Sequence, residues 1–275
     1  YLFLVINIIM VYLGWSMGMI NINTLAYFVF LQNFIIPLDL FFWESWSLAV
    51  EEWFYLLFPL LLIVLTWLRS PKWGYLLAVL IMITVSNVLR YPAMDAVGTP
   101  FMLELLVRKI VVLRFDTIGY GALMAWLVYH FPNIFSARRM ELFGIGLVIF
   151  ITAVLLRTDD GLLYKGTWFL MLSGSAMALM LPLMAGWHKV GRWGAAVSFL
   201  SRISYALYLV HMPIRSLYIN LMPGRSVEMS LVLYVGYWAL SIALAAVVFH
   251  NWEKPFMALR DGLSQRVIGP AIKPR

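Results

Sequence analysis

Residues 47–68 read SLAVEEWFYLLFPLLLIVLTWL, and apolar side chains cover every side of the helix that this stretch would form. Its charges, Glu51 and Glu52, stand near the start. A helix on a water-soluble protein keeps a polar outer face, whereas a helix in lipid is apolar all round. About 20 apolar residues cross the hydrocarbon core of a bilayer. The stretch therefore predicts a transmembrane helix.

The rest of the chain has the same character. Its 275 residues are 63% hydrophobic and 12% charged, whereas soluble domains are about 45–50% apolar and ~25% charged. Runs of span length recur about eight times, so we expect an all-α, polytopic transmembrane helical bundle. The predicted spans are residues 1–20, 47–68, 74–90, 110–130, 141–157, 166–187, 197–219 and 229–250.

The basic residues predict topology rather than nucleic-acid binding. The net charge is +7, but no basic stripe is interleaved with aromatic residues. One set of alternate connections, with the tail, holds twelve of the twenty: Arg69, Lys72, Arg138, Arg139, Lys189, Arg192, Arg202, Lys254, Arg260, Arg266, Lys273 and Arg275. The other set is Arg90, Arg108, Lys109, Arg114, Arg157, Lys165, Arg215 and Arg225. The positive-inside rule then places both chain ends in the cytoplasm of a multi-pass protein of the inner cell membrane.

We expect residues 1–253 to form the transmembrane domain and residues 254–275 a cytoplasmic basic tail along the inner membrane surface. The chain has no cysteine, which excludes a thiolate nucleophile. It begins at Tyr1, directly in apolar sequence and without the basic flank of a signal peptide. We therefore expect the transmembrane domain to be incomplete at its N-terminus.

Polar residues inside the apolar runs indicate where a site lies, because a charge at mid-bilayer costs at least ~2.5 kcal/mol unless it has a partner or a cavity. Ser47, Glu51 and Tyr55 are four residues apart and share one helix face, while Glu52 points away from it. These carboxylates either serve a polar chamber or favour the helix N-terminus as interfacial groups. Spacing alone leaves both possibilities open.

A second polar group runs from Arg114 to Ala122, at the start of the fourth predicted span. Gly119, Gly121 and Ala122 are small enough to let a neighbouring helix approach closely. Arg114 and Asp116 are each expected to pair with an opposite charge on a neighbouring helix. A structural ion pair and a functional site both fit this pattern.

A polar stripe marks the seventh predicted span. Ser204, Tyr208, His211 and Arg215 follow i, i+4, i+7, i+11 spacing on an otherwise apolar helix. Lipid would not tolerate that stripe, so we expect it to line a cavity, with a packed histidine as the alternative. The last span closes with Asn-Trp-Glu-Lys-Pro-Phe at 251–256, which also fits an interfacial stop.

Taken in this order, the four groups resemble the membrane acyltransferases of the acyltransferase family 3. The matching stretches are Trp-Ser-Leu-Ala-Val-Glu-Glu-x-Phe-Tyr-Leu-Leu-x-Pro at 46–59, Ile-Ser-Tyr-x-Leu-Tyr-Leu-x-His-x-Pro at 203–213 and Glu-x-Pro-Phe at 253–256. Arg114 and Asp116 look like the family's Arg-x-Asp ahead of a small-residue helix. The resemblance covers nearly the whole chain.

The resemblance implies an enzyme, a membrane O-acyltransferase whose intact members have about ten spans of ~20 residues each. Such enzymes move an acyl group, often acetyl from acetyl-CoA on the cytoplasmic side, to a hydroxyl of a polysaccharide or other acceptor at the membrane. Acyl-CoA is a co-substrate, so no bound cofactor and no metal is implied. The expected partners are acyl-CoA, a carbohydrate or glycan acceptor and membrane lipids.

Two departures from the family accompany the resemblance. Trp53 stands where Gln is common. The family's first helix, which bears an Arg and a His regarded as the catalytic base, has no counterpart here, because the first histidine is His130. The resemblance therefore implies that the base lies on a helix preceding Tyr1.

Site residues follow from the resemblance. The expected catalytic residues are Glu51, Arg114, Asp116 and His211, and the expected substrate-binding residues are Trp46, Ser47, Tyr55, Ser204, Tyr205 and Tyr208. Glu51 would orient the base or the acceptor hydroxyl. Arg114 would bind phosphate or stabilise an anion, with Asp116 holding its orientation. His211 would line the tunnel with Tyr208 and Ser204 and donate hydrogen bonds there.

Basic residues at the inner face are the expected partners of the coenzyme A phosphates: Arg138, Arg139, Lys189 and Arg192. A secondary transporter is the main alternative, since it too carries charges inside the membrane, but it would more often show paired inverted repeats, which we do not find. The other alternative is an inactive, truncated homologue.

Overall fold

The structure is a computed structural model of the chain, and it describes residues 1–16, 18–156, 164–186, 191–221 and 227–268. Helices dominate these residues and no strand occurs among them, which confirms the all-α prediction. The α-helices are α1 (Leu2–Tyr12), α2 (Ser45–Leu68), α3 (Pro71–Ala93), α4 (Pro100–Leu103), α5 (Phe115–His130), α6 (Pro132–Ala137), α7 (Arg139–Leu156), α8 (Phe169–Ala185), α9 (Gly194–Leu221), α10 (Val227–Val248) and α11 (Lys254–Ile268). Lys189, the connection at Pro223 and the tail beyond Ile268 lie outside the described residues.

Within the described ranges, six helices are long and apolar enough to cross a membrane: 45–68, 71–96, 139–156, 166–185, 191–218 and 230–263. They correspond to six of the predicted spans. The predictions for 1–20 and 110–130 are wrong in length. Helix α1 stops at Tyr12, where Gly14 follows with a left-handed φ of 72°. Helix α5 starts only at Phe115, because Val111–Leu113 forms a tighter 3-10 turn.

The chain forms two compact units, the larger from residues 20–188 and the smaller from residues 1–19 with 189–275. In the larger unit the helices adjoin one another in the order α2, α3, α5, α8, α7. A methyl group at Gly119 would lie 2.8 Å from Cγ1 of Ile83. Glycine therefore allows α5 to approach α3 closely, as the sequence predicts for this position.

The core of the larger unit joins α2, α3 and the start of α5. Phe54, Met82 and Phe115 are buried against one another. Trp53, which departs from the family pattern, donates from Nε1 to the Phe30 carbonyl at 2.8 Å. Its ring also lies 4.5 Å from that of Phe34. The Trp53 indole thus binds the loop that precedes α2 to the helix.

In the smaller unit, α9 packs against α10 through the fully buried residues Ile203, Ala206 and Ala245. Helix α10 continues through a π-helical turn at Phe249–Glu253 directly into α11. The predicted tail from Lys254 is therefore helical as far as the structure describes it.

Candidate active site

A short irregular segment, Glu104–Arg114, joins α4 to α5 and carries three basic residues. Helix α4 begins at Pro100, and Oγ1 of Thr99 caps it by accepting the Met102 amide at 3.2 Å. A five-residue π-helix follows from Glu104 to Arg108. Such isolated π turns are frequent at functional sites. We call Glu104–Arg114 the cation segment.

Buried polar side chains hold the backbone of the cation segment. Nδ2 of Asn33, which is fully buried, donates to the Lys109 carbonyl at 2.6 Å, and the Asn33 carbonyl accepts the Val111 amide at 2.9 Å. Ser86, fully buried on α3, donates to the Val112 carbonyl at 2.9 Å. A buried polar group left without a partner costs about 1–3 kcal/mol. These bonds therefore define the path of the segment.

The end of the segment is tied by a buried ion pair. Nη2 of Arg90 lies 2.7 Å from Oδ2 of Asp116, and both side chains are fully buried. The same nitrogen donates to the Leu113 carbonyl at 2.6 Å, and Nη1 donates to Oδ1 of Asn87 at 3.1 Å. Asp116 thus pairs with an opposite charge on a neighbouring helix, as predicted for it.

Two related predictions need correction. From its charge, Arg90 is expected in a connection, but it lies inside α3, which runs to Ala93, because Asp116 and the end of the cation segment neutralise and bind it there. Asp116 was also expected to hold Arg114. It contacts Arg90 instead, and it does not line the cavity that Arg114 faces.

That cavity measures about 410 Å³, within the range of small-molecule sites. Arg108, Lys109 and Arg114 line it, together with Glu104, Trp46 from α2, Thr117 and Gly121 from α5 and one face of α8 from Phe169 to Leu181. Helices α5 and α8 both begin at this end, so the positive ends of their dipoles add to the potential of the cations. We call it the cationic cavity.

The cationic cavity keeps an excess of positive charge. Arg108 pairs with Glu104, one turn earlier. Nζ of Lys109 lies 3.4 Å from the centre of the Trp43 ring, and the Arg114 guanidinium lies 5.6 Å from that of Trp46. Among the described residues, no carboxylate lies within 4.0 Å of Lys109 or Arg114. Nε of Arg114 is buried without a hydrogen-bond partner there.

Near this cavity, burial shifts the pKa values of two side chains, Glu44 and Lys109, towards pH 7. It raises the pKa of the Glu44 carboxyl to about 7, although Lys109 nearby opposes the rise. It lowers the pKa of the Lys109 ammonium to about 8, against the attraction of Glu104 and Glu44. Desolvation is the largest cause for both, since a charge loses hydration when buried. Groups with such pKa values can exchange protons with a reactant near neutral pH.

Glu51 does not line the cationic cavity. It is exposed on α2, and its Oε1 accepts a hydrogen bond from the Tyr55 hydroxyl at 3.0 Å. Ser47 donates to the Glu44 carbonyl at 3.4 Å. The Glu51–Tyr55 bond agrees with the shared helix face that their spacing predicts. Of the residues predicted on α2, Trp46 is the one that reaches the cavity of Arg114.

In the smaller unit, the stripe of α9 lies away from the buried face. Ser204 and Tyr205 are exposed, and Tyr208 and His211 are half-buried. Nδ1 of His211 lies 2.5 Å from the Tyr208 carbonyl. Because a carbonyl can only accept, Nδ1 carries the hydrogen in the neutral ring and Nε2 has the free lone pair. At Nε2 a neutral His211 can therefore accept a hydrogen bond.

The basic residues expected at coenzyme A phosphates lie in different places. Arg138 and Arg139 are exposed at the start of α7. The Arg192 guanidinium lies 5.6 Å from the centre of the Trp193 ring. Arg138, Arg139 and Arg192 do not line the cationic cavity. Among the residues that the structure describes, no cluster of three His, Asp or Glu side chains could hold a metal ion.

Sequence reasoning missed Asn33, Ser86, Lys109 and Arg90 as parts of the site. Lys109 and Arg90 were assigned to connections from charge alone. Asn33 and Ser86 are common surface residues, and nothing local distinguishes them. The one available signal was the cluster of Arg108, Lys109 and Arg114 in an otherwise apolar stretch.

Comparison with known families gives one match. The model of the acyltransferase family 3, described as an acyltransferase domain, matches residues 1–250. No curated protein and no solved structure matches the sequence.

Proposed function

The chain belongs to the acyltransferase family 3, and we propose that it transfers an acyl group, acetyl first of all, from acyl-CoA to a hydroxyl of a carbohydrate or other acceptor presented at the membrane. In this reaction the hydroxyl oxygen attacks the thioester carbonyl carbon and the carbon–sulfur bond breaks. The hydroxyl proton passes to a base, and the coenzyme A thiolate takes up a proton as it leaves. The products are the ester and free coenzyme A.

Arg114 in the cationic cavity is the observation that carries the proposal. Acyl transfer builds negative charge on the carbonyl oxygen, and donors already in position stabilise that charge best. A guanidinium stays protonated and offers five N–H donors. Arg114 has no carboxylate within 4.0 Å in the described part of the chain, so its charge is available to a reactant. Asp116 acts at a distance, by keeping Arg90 and the cation segment in place.

Glu51 and His211 complete the proposal as groups for proton transfer. Nε2 of His211 carries the free lone pair that a base needs, since Nδ1 faces a carbonyl. Glu51 is bound by the Tyr55 hydroxyl, and a carboxylate so placed can orient the acceptor hydroxyl. Trp46 and Tyr208 serve as binding surfaces for the substrates. We place both chain ends in the cytoplasm on the charge bias of the connections.

Acyl transfer by membranes that contain the intact protein tests the proposal. Radiolabelled acetyl-CoA is added, and label in glycans and lipids is measured against membranes without the protein. Arg114→Gln should lower the initial rate about 100- to 1,000-fold, the usual effect of losing an oxyanion donor. Glu51→Gln should abolish transfer at unchanged expression. Arg260→Gln is the control, because Arg260 is exposed and paired with Asp261.

Each result has a definite meaning. A normal rate for Arg114→Gln removes Arg114 from the mechanism, and a normal rate for Glu51→Gln removes Glu51. If the wild type forms no labelled product, acyl transfer is wrong. Accumulation of an unchanged solute in vesicles would then favour a transporter.

A further inference from the structure

A second cavity, of about 620 Å³, lies in the larger unit next to the first. Apolar side chains of α5, α6 and α8 form most of its wall, and Arg139 is the charged residue of its lining. Gly121 and Leu181 line both cavities. The two cavities are therefore adjacent at these residues. We call the combined space the α5–α8 groove.

The α5–α8 groove has the length of a membrane lipid chain. Along α5 it extends from Arg114 to Tyr129, which is about 22 Å at 1.5 Å per residue. The hydrocarbon core of a bilayer is ~30 Å thick. The groove thus runs along most of the apolar depth, with its cations at the end where α5 and α8 begin.

Gly121 has no packing role that explains it. Both Gly119 and Gly121 are expected from the sequence to allow helix approach, and this prediction is wrong for Gly121. A methyl group there would meet nothing within 4 Å, whereas one at Gly119 would strike Ile83. Glycine in a helix interior is less favourable than alanine. What Gly121 provides is open space where the two cavities meet.

The two ends of the groove differ in chemistry, and together they are complementary to an amphiphilic molecule with an anionic group and an apolar chain. One end has the excess positive charge of Lys109 and Arg114, and the guanidinium of Arg114 has a buried nitrogen without a partner among the described residues. The other cavity is lined mostly by apolar side chains, with Arg139 as the charged residue of its lining. We propose that the α5–α8 groove binds a lipid phosphate, with its phosphate at Lys109 and Arg114 and its chain over Gly121 in the apolar cavity.

A lipid phosphate fits this groove better than a water-soluble acyl-CoA. Lipids already place their phosphates at the ends of transmembrane helices and their chains alongside them, and basic pockets between such helices bind lipid headgroups. The N-terminal end of α5, at Phe115, places the positive end of a helix dipole at the same end of the groove. Resting on the function proposed above, the lipid phosphate is the carrier of the acceptor hydroxyl.

Photolabelling tests the binding site without requiring acyl transfer. The intact protein in detergent is illuminated with farnesyl phosphate that carries a diazirine in its chain, and the labelled peptides are mapped. We expect label in residues 115–130 and 169–185. Unlabelled farnesyl phosphate should compete, while farnesol and inorganic phosphate at the same concentration should not.

Two variants and one control separate the ends of the groove. Arg114→Gln removes a phosphate partner, and Gly121→Leu fills the space for the chain. Each should lower labelling at least about tenfold, the discrimination that small changes in a hydrophobic pocket give. Gly144→Leu is the matched control. Gly144 is a helix glycine of α7 with nothing within 4 Å of an added methyl group, and it lines neither cavity.

Unchanged labelling of Gly121→Leu would overturn the proposal. So would failure of the wild type to take up label, or stronger competition by palmitoyl-CoA than by farnesyl phosphate, which would make the groove a donor site. Labelling as expected without acetyl transfer in the membrane assay would instead reject the proposed function and leave the lipid site intact.

Discussion

The cation segment of the larger unit and the polar stripe of α9 in the smaller unit hold their polar groups in different ways. The cation segment is irregular, and side chains from distant positions bind its backbone: Asn33, Ser86 and Arg90. Helix α9 is continuous from Gly194 to Leu221, with Pro213 inside it, and Ser204 and His211 contact carbonyls of their own helix. One site is assembled by contacts between distant parts of the chain, and the polar groups of the other lie on a single helix.

This difference predicts how each site responds to mutation. Loss of a remote, buried partner should loosen the cation segment and lower stability together with activity. Loss of a polar group on α9 should change activity alone, because the helix and its buried face at Ile203 and Ala206 remain. The following predictions test that contrast.

The largest effect is expected for Asp116→Asn. Arg90 would stay buried and charged without its carboxylate, and breaking a buried pair in this way costs about 3–5 kcal/mol. The free energy of unfolding in detergent should fall by that amount. Acetyl transfer should fall as well, although Asp116 does not line the cationic cavity.

The exposed pair of Arg260 and Asp261 provides the control for this loss. Their side chains are 71% and 59% exposed, so Asp261→Asn should change stability by no more than about 0.5 kcal/mol. Equal effects of Asp116→Asn and Asp261→Asn would show that the buried pair is not what holds the cation segment.

An intermediate effect is expected from the pH dependence of stability at Glu44. Its pKa is raised to about 7 in the folded protein, so the folded state binds a proton more tightly than the unfolded state. The resulting stabilisation is complete below the unfolded pKa and is lost as pH rises through about 7. Because glutamine does not titrate, the Glu44→Gln variant does not lose this stabilisation as the pH rises. Between pH 4.5 and 8 the variant should gain on the order of 2 kcal/mol relative to wild type.

Unfolding of wild type and Glu44→Gln at both pH values measures this difference. If the difference in unfolding free energy between the two proteins stays constant with pH, the pKa of Glu44 is the same in the folded and unfolded states. Burial near the cation segment then does not desolvate the Glu44 carboxyl. A difference that falls with rising pH would mean that Lys109, and not burial, dominates the titration of Glu44.

The smallest effect on stability is expected for His211→Ala. The variant should lose acetyl transfer while its unfolding free energy changes by less than about 1 kcal/mol. His250→Ala is the matched control, because Nδ1 of His250 also contacts a carbonyl of its own helix, that of Ala246 at 2.8 Å, and His250 is exposed. Normal transfer by His211→Ala would support the packed histidine instead. A stability loss comparable to that of Asp116→Asn would contradict the contrast between the two regions.

The family resemblance depends on local sequence motifs. Local sequence also predicted which side chains share a helix face within the helices. The stripe spacing of α9 and the Glu51–Tyr55 contact follow from 3.6 residues per turn. Prediction failed where the chain leaves the regular helix. The span at 110–130 was expected to be continuous, but the 3-10 turn at Val111–Leu113 is held by Asn33 and Ser86 from elsewhere in the sequence.

By itself the sequence determined that this is a helical membrane protein of the acyltransferase family 3, because helix-long apolar stretches and the order of motifs are properties of the chain alone. Only the tertiary structure decided which charge is neutralised and which faces a cavity. Asp116 lies two residues from Arg114, yet it binds Arg90, 26 residues away in the sequence. Likewise, Gly119 packs against Ile83 while Gly121 faces open space. The physical reason is that pairing and packing depend on which helices are neighbours, and that is set by contacts between residues far apart in the chain.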